Sequence, residues 1–366
     1  MSPTKAEPLR LLREREDPVR AVLMDGRGGV TLGEIPKPRV PKGGALIRVT
    51  AVGICGSDTH KFGRAPRGTI LGHEVAGVVE RLGRGARGFR VGERIVVAHH
   101  VPCGRCPYCR ADNHSQCALF RTTNLRPGGW AEFVAVSDMH LRHAAFSLPA
   151  ALDEGTASLT EPLACCVRAV RRSGIRKGDE VVVVGLGPVG LMLAALYRRE
   201  GARVHTFDRV AARAVLARKW AGASPLPPGG ARAAAALRRR TGARGADQAV
   251  LSAGAASTFP LALEMVRRGG TVHLFSGPDE GTSVDVDLNL IYKREVRVLA
   301  TYSSSPADLR ESFRLIREGV LPVAGLITHR LPLSRIEEGL RLIRSGKALK
   351  VILEPGGRPD RQGDSP

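Results

Sequence analysis

The chain has 366 residues, of which 43% are hydrophobic and 25% are charged, and its formal net charge is +21 at pH 7. This composition is typical of a globular protein with room for two domains, and the lack of an apolar run of about eighteen residues argues against a membrane span. Because aromatic residues make up only 4% of the chain and the arginines are scattered, the charge favours a solvated basic surface over a specific nucleic-acid interface.

Residues 1–18 form a charged, polar extension that lacks the apolar core of an export signal. Most of the seven cysteines are clustered in the manner of metal ligands and are not spread along the chain as disulfide pairs. We therefore expect a reducing environment and a cytoplasmic location.

Short β-rich segments separated by glycines fill residues 19–166. Strands are predicted at residues 45–50, 74–80 and 93–97. Several short strands without long helices between them predict a partly closed β-barrel.

Candidate metal ligands in this first domain are Cys55, His73, Glu74 and Glu161. Thiolate, imidazole and carboxylate groups all bind zinc, and a catalytic zinc keeps one position for water or substrate. Neighbouring side chains of an extended segment point to opposite sides, so Glu74 would reach a metal shared with His73 only through a local bend. We expect Cys55 and His73 to be firm ligands, and Glu74 and Glu161 to share or alternate in the remaining position.

A second candidate metal site lies in one short stretch of the same domain. Its four cysteines are Cys103, Cys106, Cys109 and Cys117. Thiolates at this spacing can surround one tetrahedral zinc, and a closed four-sulfur site has no open position. The sequence therefore predicts a structural zinc here, whereas Cys165 and Cys166 are expected to be packing residues.

Strands alternate with helices over residues 167–304. A wholly apolar strand at 180–185 precedes a helical periodicity from 189 to 199. Further strands are predicted at residues 203–208, 249–252, 271–275 and 296–300. This alternation predicts a parallel, doubly wound sheet of the α/β class.

A G-x-G-x-x-G motif directly follows the first of these strands, with glycines at 185, 187 and 190. Gly185 permits the tight turn, Gly187 lets the backbone approach a pyrophosphate, and Gly190 allows close packing of helix on strand. The new helix begins near Pro188 and Val189, and its free N–H groups favour phosphate there. The motif predicts a dinucleotide site.

Asp208 ends the second strand of this domain, where a carboxylate would meet the 2′-hydroxyl of a ribose. Such a carboxylate accepts a hydrogen bond from the hydroxyl and repels a 2′-phosphate, so NAD is favoured. Arg209 and Arg213 lie close by and could accommodate the phosphate, so NADP stays possible.

The last part of the chain, residues 305–355, contains a helix and strands predicted at 327–331 and 350–353. We expect this part to pack back on the first domain. Residues 356–366 are rich in Gly, Pro and Asp and are expected to be a disordered tail.

Five strings in fixed order make the chain resemble the zinc-dependent medium-chain alcohol dehydrogenases, in the branch of sorbitol (L-iditol) 2-dehydrogenase and threonine 3-dehydrogenase. These strings are the segments 53–60, 72–74 and 160–165, the four-cysteine loop and the glycine motif. The resemblance implies a GroES-like barrel built from both chain ends, a Rossmann domain inserted between them, and a homo-dimer or homo-tetramer.

The resemblance also implies roles for individual residues. Cys55, His73 and Glu74 would bind a catalytic zinc, with Glu161 in or beside its coordination shell. Ser57 would be the hydroxyl nearest the substrate alcohol, and His60 the exit of a proton relay to solvent. Two zinc ions per subunit and NAD, or NADP, are the implied cofactors.

The sequence thus predicts an enzyme that transfers a hydride from a secondary alcohol, such as a polyol, to NAD. Threonine or a sugar or cyclitol is the second choice of substrate, because Lys61 and Thr301 stand where sorbitol dehydrogenases tend to carry tyrosine and arginine. A basic zinc-ribbon protein that binds nucleic acid is the alternative from another class, but it needs neither the glycine motif nor Asp208. A zinc-free reductase on the same scaffold would lack Cys55 and His73.

Overall fold

The computed structural model describes residues 17–61 and 64–356. Nearly all of the predicted N-terminal extension and C-terminal tail therefore lies outside the described residues. The chain forms a mainly antiparallel β domain and a parallel α/β domain, so the predicted fold class is confirmed.

The first domain is built on short strands with buried, alternating faces. Its strands are β1 (Val19–Met24), β2 (Val30–Ile35), β3 (Ala45–Gly53), β4 (Glu74–Leu82), β5 (Arg94–Ala98), β6 (Phe133–Val136) and β7 (Ala145–Ser147). Its helices are α1 (Gly56–Thr59), α2 (Pro107–Arg110), α3 (Ala118–Thr122), α4 (Asp138–His143), α5 (Glu154–Ser158) and the longer α6 (Thr160–Ser173). The middle of β3, residues 47–51, alternates buried apolar side chains with the polar Arg48 and Thr50, whereas both ends of the strand are buried throughout.

The second domain is a six-stranded parallel sheet with helices on its faces. Its strands are β8 (Glu180–Val184), β9 (Arg203–Phe207), β10 (Ser224–Pro225), β11 (Ala246–Leu251), β12 (Val266–Leu274) and β13 (Arg297–Ala300). Its helices are α7 (Pro188–Arg199), α8 (Ala211–Ala221), α9 (Gly230–Arg240), α10 (Thr258–Met265) and α11 (Asn289–Tyr292). The strand order β10-β9-β8-β11-β12-β13 is that of a doubly wound dinucleotide fold.

The chain then returns to the first domain. Helix α12 (Pro306–Arg317) packs on α6, and β14 (Ile327–Pro332), α13 (Ile336–Arg344) and β15 (Lys350–Glu354) follow. Strand β15 pairs antiparallel with β3, with Ile352 opposite Gly53, so the first domain contains strands from both ends of the described chain.

Helix α6 connects the two domains. It runs without a break through residues 166 and 167, where the sequence predicts the boundary, and ends at Gly174 with φ of 71°. Its buried face joins the core formed with α7 and β8, and this core includes Cys166. Because its first turn begins in the first domain, α6 brings Glu161 to the junction of the two domains. Within the described part of the chain, no helix is both long and apolar enough to cross a bilayer.

Candidate functional site

Cys55, His73 and Glu74 come together where β3 ends and β4 begins. Their sulfur, nitrogen and oxygen atoms all lie within 4.8 Å of one another. Cys55 caps the N-terminus of the short helix α1, and Glu74 is the first residue of β4. A soft thiolate, an imidazole and a carboxylate at this separation fit the ligand set of a zinc ion.

Asp58 lies directly behind His73. Its carboxylate Oδ1 is 3.3 Å from Nδ1 of His73, its Oδ2 accepts the N–H of Cys55 at 3.1 Å, and the residue is fully buried. Burial alone would lower the pKa of His73, but Asp58 and, to a smaller extent, Cys55 raise that pKa well above its usual range. A metal ion bound here would therefore displace a proton from His73, whose ring Asp58 orients.

Glu74 makes a buried ion pair on its other side. Both of its carboxylate oxygens lie 2.8 Å from Nζ of Lys350, which also donates to the carbonyl of Ile54 at 3.2 Å. A Cβ atom on Gly53 would come within 1.9 Å of Oε2 of Glu74, so the glycine makes room for the carboxylate. Burial alone would lower the pKa of Lys350, but the Glu74 carboxylate raises it, so the pair is ionic.

Glu161, in the first turn of α6, lies on the side of the His73 ring opposite Asp58. Its Oε2 lies 4.0 Å from Nε2 of His73, the ring nitrogen that faces away from Asp58. The Cys165 thiol donates to Oε1 of Glu161 at 3.7 Å, so Cys165 lies against the candidate site. Burial raises the pKa of Glu161, and no lysine or arginine makes an ion pair with it among the described residues. Glu161 is thus the carboxylate whose charge a bound cation would balance.

The four cysteines of the loop form the second cluster. Their sulfur atoms lie within 4.8 Å of one another, with 3.5 Å between Cys106 and Cys109 and 4.0 Å between Cys103 and Cys109. Sulfurs of a tetrahedral zinc site are about 3.8 Å apart, given Zn–S bonds of about 2.3 Å.

The pKa values of the thiols in this cluster are also consistent with a bound cation. Peptide N–H groups of Arg105 and Cys106 lower the pKa of Cys103 to about 6, whereas burial and the neighbouring thiols raise that of Cys109 to about 12. Four thiolates at this distance would repel one another, so the cluster can be fully deprotonated only around a cation.

Arginines of α6 hold this loop to the domain junction. Asp112, in the left-handed region at φ of 58°, accepts from Arg168 and Arg172 through its carbonyl oxygen at 2.6 and 2.7 Å. Its carboxylate pairs with Arg171 at 3.0 Å. The helix that carries Glu161 is therefore fixed to the cysteine loop.

The glycine motif forms the turn between β8 and α7. Gly185 has φ of 95°, and Gly187 is the N-cap of α7. A Cβ atom on Gly190 would lie 2.0 Å from the carbonyl oxygen of Gly185, so only glycine fits there, whereas nothing lies within 4 Å of such an atom on Gly187. Pro188 and Val189 open the helix, whose free N–H groups suit a pyrophosphate.

Asp208 lies at the end of β9 beside this turn. Its two carboxylate oxygens accept the N–H groups of Leu186 at 2.6 Å and Val210 at 2.7 Å, and Arg213 lies 3.8 Å away. The carboxylate thus fixes the glycine turn in addition to facing the position expected for a ribose.

Ser57 and His60 lie on the solvent side of α1 and just after it. Nδ1 of His60 is 2.8 Å from Oδ1 of Asp279, a residue in the loop that follows β12. Because a carboxylate only accepts, Nδ1 of His60 carries the hydrogen in this contact. Dinucleotides bind beyond the carboxyl ends of parallel strands, so this contact joins α1 to the coenzyme edge of the sheet.

A cavity of about 330 Å³ lies beside the cysteine loop. His100, Phe120 and Arg121 of the first domain and Tyr302, which follows β13, line it. The ring of His100 is 3.9 Å from that of His99, which is 4.7 Å from that of His73. The cavity is therefore two rings away from a candidate zinc ligand.

Several of these residues carry no sequence signal of their own. Lys350 and Asp279 reach the site from 276 and 219 positions away. His99 adjoins the cysteine loop in sequence, and only the fold places its ring on His73. Asp58 had a local signal, because it follows Cys55 by three residues and forms a capping box with it.

Two family models match the chain. The alcohol dehydrogenase GroES-like domain matches residues 41–146, and the zinc-binding dehydrogenase model matches residues 188–318. Sorbitol dehydrogenase of Halalkalibacterium halodurans is 31% identical over 342 residues, covering 90% of this chain and 97% of that protein. L-threonine 3-dehydrogenase of Bacillus velezensis is 29% identical, covering 89% and 96%.

Solved structures agree with these matches. The alcohol dehydrogenase of Thermus sp. ATN1 is 30% identical, with a TM-score of 0.81 and coverage of 92% of this chain and 99% of that one. A candidate zinc-binding dehydrogenase from Sinorhizobium meliloti, solved with NADP, is 29% identical at a TM-score of 0.81, covering 93% and 100%. The chain therefore belongs to the zinc-dependent medium-chain alcohol dehydrogenase family and is an oxidoreductase that acts on alcohols with zinc and a nicotinamide dinucleotide.

Proposed function

We propose that this enzyme oxidises a secondary alcohol, with polyols as the first substrate class, to a ketone with NAD. The observation that carries the proposal is the meeting of Cys55, His73 and two buried carboxylates at the junction of the domains, on the side where the sheet would bind the coenzyme. Sorbitol dehydrogenase and threonine 3-dehydrogenase among the relatives support a substrate with several polar groups.

Cys55, His73 and Glu161 would hold the catalytic zinc. Glu74, which also lies within 4.8 Å of Cys55 and His73, is assigned a place beside the ion because it pairs with Lys350. When bound, the ion supplies Lewis-acid stabilisation of the alkoxide that forms from the substrate hydroxyl. Cys103, Cys106, Cys109 and Cys117 would hold the structural zinc.

Ser57 and His60 would carry the proton away. Both are exposed, and they are three residues apart around one turn, so a proton accepted by the Ser57 hydroxyl has a short path to His60. Asp279 fixes the Nδ1–H of His60, which leaves Nε2 of the neutral ring free to accept the proton and release it to solvent.

Gly185, Gly187, Pro188, Val189 and Gly190 would bind the coenzyme pyrophosphate, and Asp208 its ribose. When bound, the nicotinamide would supply the acceptor for the hydride of the carbinol carbon. Asp208 favours NAD, although Arg213 at 3.8 Å from its carboxylate offers a partner for a 2′-phosphate.

An amino-alcohol acid such as threonine is the second candidate substrate. The L-threonine 3-dehydrogenase of Bacillus velezensis, which is 29% identical to this chain, supports it.

We also propose that the enzyme is a homo-dimer or homo-tetramer. Large apolar side chains are exposed near the last strand of the coenzyme sheet: Leu288 at 73%, Tyr292 at 80% and Val298 at 43%. Apolar side chains grouped on a surface mark protein contacts. Light scattering during gel filtration measures the subunit number, and a monomer at micromolar concentration would refute this part.

A substrate panel tests the proposal. Polyols, threonine, other amino alcohols and sugars are offered with NAD and with NADP, and the reduced coenzyme is followed by absorbance. A polyol with the highest kcat/KM supports the first choice, and threonine supports the second. If a primary alcohol exceeds every secondary alcohol, the proposed substrate class is wrong.

A further inference from the structure

A basic cavity of about 450 Å³ lies at the amino edge of the coenzyme-domain sheet. Glu180 and Arg203, the first residues of β8 and β9, line it, together with residues at and after the end of α9. The glycine turn follows the opposite end of β8, so about 15 Å of strand separates this cavity from the expected coenzyme site. Nothing in the proposed reaction uses this cavity.

The cavity carries a net positive charge, because four arginines and one glutamate line it. Arg203 pairs with Glu180, with 2.6 Å between Nε and Oε1. Arg198, Arg240 and Arg244 also line the cavity, and none of them makes an ion pair with a described residue. Arg240 donates to the carbonyl of Pro225 at 2.9 Å, which leaves its charge uncompensated. These three guanidinium groups are exposed around one space, so the local potential favours an anion there.

His205 adds an unsatisfied acceptor to the wall. The residue is 6% exposed, and its Nε2 donates to Oε2 of Glu180 at 2.8 Å. Burial lowers the pKa of His205, so its ring is neutral at pH 7 and Nδ1 carries a lone pair. Nδ1 has no hydrogen-bond partner among the described residues, and leaving a buried polar atom unpaired costs about 1–3 kcal/mol. The neutral ring adds no charge to the wall, so the positive charge of the cavity comes from its arginines.

We propose that this cavity binds a small phosphorylated compound through its guanidinium groups. Guanidinium groups match phosphate oxygens in pairs of parallel hydrogen bonds. The volume suits a small metabolite and exceeds that of a single phosphate ion. The ligand would sit outside the coenzyme site and could therefore bind together with NAD.

Calorimetric titration of the full-length enzyme at constant ionic strength tests this proposal, with glycerol 3-phosphate and inorganic phosphate as probes. We expect saturable binding of glycerol 3-phosphate, weakened at least about tenfold by Arg240→Gln and by Arg244→Gln. Arg239→Gln is the matched control, because Arg239 is an exposed residue of the same helix that does not line the cavity. It should bind as the wild type does.

Four results would overturn the proposal. The first is the absence of saturable binding of glycerol 3-phosphate by the wild type. The second is an equal loss of affinity in Arg239→Gln, which would reduce the effect to general surface charge. The third is no loss of affinity in either cavity variant, which would place the phosphate elsewhere, for instance at the glycine turn. The fourth is equal affinity for the two probes, which would reduce the site to one for the phosphate ion alone.

Discussion

Nζ of Lys350 lies 2.8 Å from both carboxylate oxygens of Glu74, although 276 positions separate the two residues in the chain. Both side chains are buried, so the pair is a closed unit beside Cys55 and His73. Lys350 neutralises Glu74, one of the two carboxylates at the candidate metal site. The other carboxylate, Glu161, has no lysine or arginine partner among the described residues.

Replacing Lys350 with methionine should destabilise the protein by about 3–5 kcal/mol, because Glu74 would remain buried without its counter-charge. Urea unfolding measures the change. Lys347→Met is the control, since Lys347 is exposed and should tolerate the change. The double variant Lys350→Met with Glu74→Gln should regain much of the loss, and a double variant as unstable as Lys350→Met alone would contradict the assigned pair.

Glu161→Gln should lower the affinity for one of the two zinc ions at least about tenfold, because it removes the carboxylate that has no other cation. Elemental analysis after dialysis against a competing chelator should then find one zinc per chain. Glu74→Gln should retain both ions under the same conditions. Zinc loss in Glu74→Gln with full retention in Glu161→Gln would reverse the assignment.

Cys109→Ser should lower the melting temperature by at least about 5 °C, since metal binding at a four-cysteine site is coupled to folding. Calorimetry measures the shift. Cys55→Ser provides the contrast: it should abolish turnover and leave the protein folded. An unchanged melting temperature in Cys109→Ser would count against a structural ion, and normal turnover in Cys55→Ser against a catalytic one.

Asp208→Ala should reduce the kcat/KM ratio of NAD over NADP by about tenfold, the equivalent of one lost charge-assisted hydrogen bond. Asp208→Asn is a useful companion, because its amide oxygen can still accept the N–H of Leu186 and so preserve the glycine turn. A ratio that is the same in all three proteins would mean that another residue selects the coenzyme.

Asp247→Asn should change how stability depends on pH. Burial would raise the pKa of Asp247, but the N–H of Glu180 at 2.7 Å and Arg267 at 2.5 Å lower it below its ordinary value. An acid with a lowered folded pKa stabilises the protein above its unfolded pKa and loses this effect as pH falls through the folded value. The wild type should therefore be more stable than the variant at pH 7, with the difference shrinking below about pH 4. Denaturant unfolding across this range measures it, and a difference independent of pH would contradict the prediction.

Local patterns were sufficient to predict much of this molecule. The cysteine spacing places four sulfurs on one loop, and the glycine motif needs only the strand before it and the helix after it. The apolar run of β8 predicts a central parallel strand, and all five of its residues are buried. In each case the interacting groups are neighbours in sequence, so their spacing along the chain is enough to predict how they are arranged in space.

Long-range contacts could not be predicted in this way. The sequence predicts that Glu74 meets the metal, but nothing near Glu74 indicates that Lys350 holds it. The partner of His60 cannot be predicted from nearby residues either, because Asp279 belongs to the other domain. These contacts depend on strand pairing and domain packing, which side-chain periodicity does not specify.

The pairing of β15 with β3 has a consequence for synthesis on the ribosome. The barrel receives its last strand, and Glu74 its cation, only after the whole coenzyme domain has been made. The inserted domain can complete its own sheet first. Until β15 has been synthesised, the edge of β3 that pairs with it stays unpaired and Glu74 has no counter-charge. A nascent chain stopped before residue 350 should therefore present a protease-resistant coenzyme half joined to a protease-sensitive catalytic half.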